Sequence, residues 1–110
     1  MPRDGVFGFL QLCADRRYHR KTMAAFERAT GLHPDEYWIE ATAGGAAAFE
    51  GATTTAQFAF DQGARLMGWA GHGDTCGGFP DRSNEEMKEK VRDAGAARAR
   101  DFPEARHWSL

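Results

Sequence analysis

The sequence predicts a small three-layer α/β/α domain, built on a mostly parallel sheet of about four strands and filling residues 1–110 as one unit. Two observations predict it. Short apolar runs alternate with longer segments of helical periodicity, and strands joined through helices run parallel because each link must cross the sheet. The 110 residues are 42% hydrophobic and 27% charged, the balance of one globular domain rather than a disordered chain.

The elements follow in order. Gly5 to Leu12 (GVFGFLQL) is apolar and aromatic and reads as a buried strand ending at Cys13. Tyr18 to Thr30 reads as a helix with Tyr18, Thr22, Phe26 and Ala29 on one face, Met23 beside them, and Gly31 as its stop. After the turn His33-Pro34-Asp35, the run Tyr37 to Thr42 (YWIEAT) has strand composition. Gly44-Gly45 reads as a loop, and Thr53 to Gly63 as a helix in which Phe58 packs with nearby alanines. Arg65 to Ala70 (RLMGWA) is a third strand, and it runs into a turn of glycine, histidine and cysteine over residues 71–78. A long helix from about Asn84 to Arg100 follows, with Met87, Val91 and Ala94 inward. Ser83 and Glu86 have capping-box spacing, and Glu86 and Lys90 the spacing of a pair across one turn. The Arg92–Arg100 stretch reads as a solvated face, and Arg106 to Leu110 as a short last strand after Pro103.

Composition excludes several classes of function. Fourteen Lys and Arg against sixteen Asp and Glu give a net charge of -2, so there is no cationic surplus to hold a nucleic-acid backbone. No apolar run approaches the ~20 residues that span a bilayer, and the polar start Met1-Pro2-Arg3-Asp4 does not read as a signal peptide. Two cysteines make no disulfide framework, and the expected setting is cytoplasmic with reduced thiols, which disfavours a Cys13–Cys76 bridge.

Two constellations carry chemistry. Cys13-Ala14-Asp15-Arg16-Arg17 places a thiol at a strand end with an acid and a base close behind. A cysteine-phosphatase loop would need arginine where His19 stands. His72-Gly73-Asp74-Thr75-Cys76 adds an imidazole and a second thiol in a glycine-rich turn, the usual donors for zinc. Ligands of an α/β sheet collect beyond the carboxyl ends of its strands, where both segments fall. Cys13, His72 and Cys76 would make three ligands and leave one tetrahedral position open, as catalytic zinc sites do. No Gly-Lys-Ser/Thr follows Gly44-Gly45 or Gly77-Gly78, so neither reads as a phosphate cradle. Asp15 and Arg17 also read as a simple surface pair, and each cysteine as a small buried hydrophobe. Trp38, Trp69 and Phe79 read as core or interface residues, and His19, His33 and His107 as packing or surface histidines.

Over roughly residues 5 to 80 the chain resembles the β-class carbonic anhydrases. Cys13, Asp15 and Arg17 match that family's Cys-x-Asp-x-Arg motif, Ala43-Gly44-Gly45 looks like its alanine-glycine turn, and His72 with Cys76-Gly77-Gly78 looks like its His-x-x-Cys-Gly motif with one extra residue. The resemblance implies Zn2+ held by Cys13, His72 and Cys76. It implies that Asp15 either accepts a hydrogen bond from the zinc-bound water or takes its place as fourth ligand, and that Arg17 fixes Asp15 by a charge-assisted pair. The implied activity is reversible hydration of carbon dioxide to bicarbonate by zinc-bound hydroxide. Carbon disulfide or carbonyl sulfide hydrolysis, or a non-catalytic zinc-binding module, would use the same scaffold. The implied assembly is a homodimer or higher homo-oligomer with a small-molecule substrate and neither nucleic acid nor membrane as partner. His19 and His33 stand as candidates for a proton exit, and Phe79 for the wall of a carbon dioxide pocket.

Overall fold

The computed structural model describes residues 6–48, 51–71 and 84–110. Its elements are β1 (Phe7–Cys13), α1 (His19–Thr30), β2 (Tyr37–Thr42), α2 (Thr54–Asp61), β3 (Ala64–Trp69), α3 (Asn84–Asp101) and β4 (Arg106–Ser109). Short 3-10 turns occupy Pro34–Glu36 and Gly45–Ala48. All four strands are parallel, in the order β2-β1-β3-β4. This is the α/β architecture the sequence predicts.

Alternation along β1 sorts the two faces. Leu10 and Leu12 join a buried cluster with Phe26 of α1, Leu32, Tyr37, Leu66 and Ala70. Phe9 joins a second cluster on the other face with Ala56 and Ala59 of α2, Met67, Trp69 and Phe102. Side chains two apart share a face of a strand, so Phe9, Gln11 and Cys13 line up toward the second cluster. Phe26 is fully buried, which contributes roughly 2–3 kcal/mol. It sits directly on bare backbone: a Cβ at Gly68 would lie 2.6 Å from Phe26 Cδ1, and one at Gly8 3.1 Å from Phe26 Cζ. Glycine at these two strand positions makes room for the ring.

Local signals place the boundaries. Gly31 ends α1 in the left-handed region at φ 79°, with its N–H donating to the Glu27 carbonyl. Thr53 caps α2, its side chain accepting from the Ala56 N–H. Several expectations are corrected. α1 begins at His19, with Tyr18 in the cap position. Ala29 is exposed, and Met23 and Phe26 form the inner stripe instead. β3 begins at Ala64, which pairs with Phe7 of β1, and the Arg65 guanidinium folds back over the Phe60 ring, 3.9 Å from its centroid, and donates to the Phe60 carbonyl. Phe58 is 51% exposed, meeting Trp38 edge-on rather than entering the core. Gly45 opens a 3-10 turn. In α3, Met87 and Val91 are buried as expected, but so is Arg98, whose Nε donates to Asp101 at 2.7 Å. The Arg92–Arg100 face is therefore not uniformly solvated. The Ser83–Glu86 capping box lies outside the described residues, as do Phe79 and the turn from His72 through Gly78.

From β1 the chain moves outward to β2, then returns across β1 to β3. The connections leaving β1 and β3 thus depart in opposite directions, which creates a switch point between their carboxyl ends. Cys13 ends one of these strands and Ala70 follows the other.

Candidate functional site

Main-chain bonds bring three strand ends together at the switch point. The Ala14 N–H donates to the Thr42 carbonyl at 2.8 Å, and the Ala70 N–H to the Gln11 carbonyl at 2.8 Å. The Ala46 N–H donates to the Ala70 carbonyl at 2.9 Å and so ties the turn after β2 to the end of β3. Gly45 makes this crossing possible. It has a φ of 58°, and a Cβ there would collide with the Ala70 carbonyl oxygen and lie 2.8 Å from the Cys13 nitrogen. Only a residue without a side chain fits both the backbone conformation and the space.

Cys13 is buried at 6% exposure on this floor, in register with Thr42 of β2. Directly beyond it, Asp15 and Arg17 form a closed pair. The Arg17 Nη2 donates to Asp15 Oδ2 at 2.7 Å, and the Arg17 Nε to Asp15 Oδ1 at 3.0 Å. The Arg17 backbone N–H also donates to Asp15 Oδ1 at 3.0 Å. The two-residue spacing explains this doubling, because a short carboxylate reaches the amide two positions on while the guanidinium folds back onto it. The Asp15 side chain is only 16% exposed, against 44% for Arg17, so the carboxylate is largely covered while the arginine stays open to solvent. The simple surface pair describes Arg17 better than Asp15.

The described part of the site thus joins Cys13, Asp15 and Arg17, three of the five expected residues. His72 and Cys76 lie outside the described residues, and among those described no group of three or more His, Cys, Asp or Glu side chains is spaced to hold a metal. What is described is a buried thiol at a strand end, followed two residues on by a carboxylate that Arg17 holds in orientation.

The other histidines separate by position. His19 opens α1 just past the Asp15–Arg17 loop, and its Nε2 is buried without a hydrogen-bond partner. His33 precedes β2 and so lies at the amino-terminal edge of the sheet, the opposite end from Cys13. That placement sets it apart from Cys13, Asp15 and Arg17. His107 packs on Trp69, whose Nε1 donates to His107 Nδ1 at 2.9 Å. Nε2 therefore carries the His107 proton and donates to the Phe102 carbonyl at 2.8 Å.

Sequence reasoning did not find Thr42, whose Oγ1 is buried without a hydrogen-bond partner, in register with Cys13. Nor did it find the polar row beneath, where Gln11 Nε2 and Thr53 Oγ1 both donate to Glu40 Oε1, at 2.6 and 2.7 Å. A cavity of about 260 Å³ borders Gly71, between the ends of β3 and β4 and the Met87 and Val91 side of α3. No helix among the described residues is long and apolar enough to cross a membrane. No family model, curated protein or solved structure matches the chain.

Proposed function

We propose that the protein is a zinc-dependent lyase of the β-class carbonic anhydrase kind, hydrating carbon dioxide reversibly to bicarbonate. The observation that carries this reading is the Asp15–Arg17 pair closed directly beyond the buried Cys13 at the switch point. In this reading Cys13, His72 and Cys76 hold the metal. The ion, when bound, supplies a Lewis-acid centre that lowers the pKa of water.

The chain's own residues perform the remaining work. Arg17 engages both Asp15 oxygens, which turns the carboxylate to one orientation. A carboxylate held this way acts as a hydrogen-bond acceptor that orients a nucleophilic water, rather than as a further ligand. Gly45 and the Ala46–Ala70 bond keep the floor closed beneath the thiol. The apolar substrate needs little more from the protein than a dry surface beside the nucleophile.

Metal analysis and stopped-flow hydration test the proposal together. One equivalent of zinc, lost in Cys13→Ser, with carbon dioxide hydration that disappears in Asp15→Ala while zinc is retained, is the expected result. Absence of zinc from protein purified under reducing conditions would overturn the metal site. Zinc without hydration above the buffer rate up to about pH 9, where zinc-bound water ionises unaided, would leave a binding module. Turnover of carbon disulfide or carbonyl sulfide in its place would reassign the substrate.

A further inference from the structure

A second cleft lies at the amino-terminal edge of the sheet, the end opposite Cys13, Asp15 and Arg17. It is lined by Phe7, Asp35, Glu36, Tyr37, Trp38 and Gln62, with a volume of about 340 Å³. That falls within the ~300–1,000 Å³ typical of small-molecule pockets. Phe7 and Trp38 make its aromatic corner, with ring centroids 5.9 Å apart and planes at 69°. Phe7 is 37% exposed, unusual for a large apolar residue at the start of a central strand.

Among the described residues that line the cleft, the charge has one sign: Asp35 and Glu36 supply two carboxylates, with no lysine or arginine beside them. Glu36 uses Oε1 to accept from the His33 N–H, which holds its carboxylate in place. Asp35 is exposed and makes no ion pair among the described residues. Gln62 is the C-cap of α2, so the negative end of that helix dipole adds to the same field. Two aromatic rings inclined at 69° and flanked by carboxylates form the kind of surface that attracts a cation too large and too weakly hydrated for a carboxylate alone.

We propose that this cleft binds a small quaternary ammonium ion of choline size, against Phe7 and Trp38 with Asp35 and Glu36 at the rim. The alkylated nitrogen spreads its charge over methyl groups that suit the ring faces, and the carboxylates neutralise it without needing a hydrogen-bond donor. The site is independent of the proposed zinc chemistry and stands or falls without it.

The test is an NMR titration of the full chain with choline and tetramethylammonium chloride at constant ionic strength. Sodium chloride and dimethylbutanol, the neutral tert-butyl analogue of choline, serve as controls. Saturable shifts centred on the Trp38 indole and the Phe7 ring are expected, with the neutral analogue about tenfold weaker. Asp35→Asn, a change at an exposed turn position, should weaken choline about threefold with the amide spectrum otherwise unchanged. The proposal is overturned by shifts that do not saturate, by equal binding of the neutral analogue, by binding indifferent to Asp35→Asn, or by shifts centred on Trp69 or Trp108.

Discussion

Tyr37 donates its phenolic hydrogen to Glu27 Oε2 at 2.7 Å, fastening the start of β2 to α1 across the face that Phe26 fills. Burial of Tyr37 is the main cause that holds its proton far above the usual tyrosine range, and the bond to Glu27 and its negative charge act in the same direction. In the unfolded chain the phenol ionises near its ordinary value of about 10. The folded-state pKa is raised, so the contribution to stability is fully present below about pH 10 and is lost as pH rises beyond it. Urea denaturation at a series of pH values from about 8 to 12 should show stability falling above pH 10. In Tyr37→Phe the fall should be shallower, from a neutral-pH stability lower by roughly 1 kcal/mol. An equally steep alkaline fall in the variant would mean that another group carries it.

The Arg17 fork separates geometry from charge. Lysine keeps the cation but donates from a single nitrogen, so Arg17→Lys cannot reproduce the contacts that Nε and Nη2 both make to Asp15. The pair is partly exposed and contributes at most about 1 kcal/mol to folding, so melting should move little. Under the proposed function, carbon dioxide hydration should nevertheless fall about tenfold or more with zinc content unchanged, as expected when an orienting group is lost. Full activity in Arg17→Lys would show that a nearby positive charge suffices.

Gly45→Ala tests the floor of the site. The new Cβ meets the Ala70 carbonyl oxygen and the Cys13 nitrogen, both backbone atoms that cannot rotate away, and the positive φ adds strain. A loss of roughly 2–4 kcal/mol is expected in thermal or urea unfolding. Gly31→Ala provides the comparison: its φ is also positive, but a Cβ there meets nothing within 4 Å, so its loss should be nearer 1 kcal/mol. Equal losses would mean that conformation, and not contact with the strand ends, is what Gly45 supplies.

These positions show what sequence alone made legible. The seven helices and strands appear within a residue or two of their expected ends, because apolar runs, Gly31 and Thr53 are local signals. The Asp15–Arg17 contact was legible for the same reason, since two residues of spacing fix it. Thr42 beside Cys13 was not, because it depends on the register between β1 and β2. Gly45 read as a turn, but its contact with two strand ends arises only once β2 and β3 flank β1. Phe58 and Arg98 reversed their usual places for a shared reason: side-chain burial follows what packs over a position, and Phe58 on α2 meets Trp38 edge-on while staying half exposed, whereas Arg98 lies on the buried side of the last turn of α3 with Asp101 to pair with.

The contact between Gly68 and Phe26 gives the most direct test of how one face is packed. Phe26→Ala removes a fully buried ring and should cost about 3–5 kcal/mol. Gly68→Ala places a methyl 2.6 Å from Phe26 Cδ1 and 3.0 Å from Leu10 Cδ1, and overpacking of that kind costs about 1–3 kcal/mol. The two changes touch the same space, so they should not add. In the double variant the new methyl occupies part of the volume the ring vacated, and the total loss should fall below the sum of the single losses by about 1 kcal/mol or more. Urea unfolding of the four proteins closes the cycle. Strict additivity would mean that the sheet shifts to accept a side chain at Gly68, and that the ring does not rest on bare backbone.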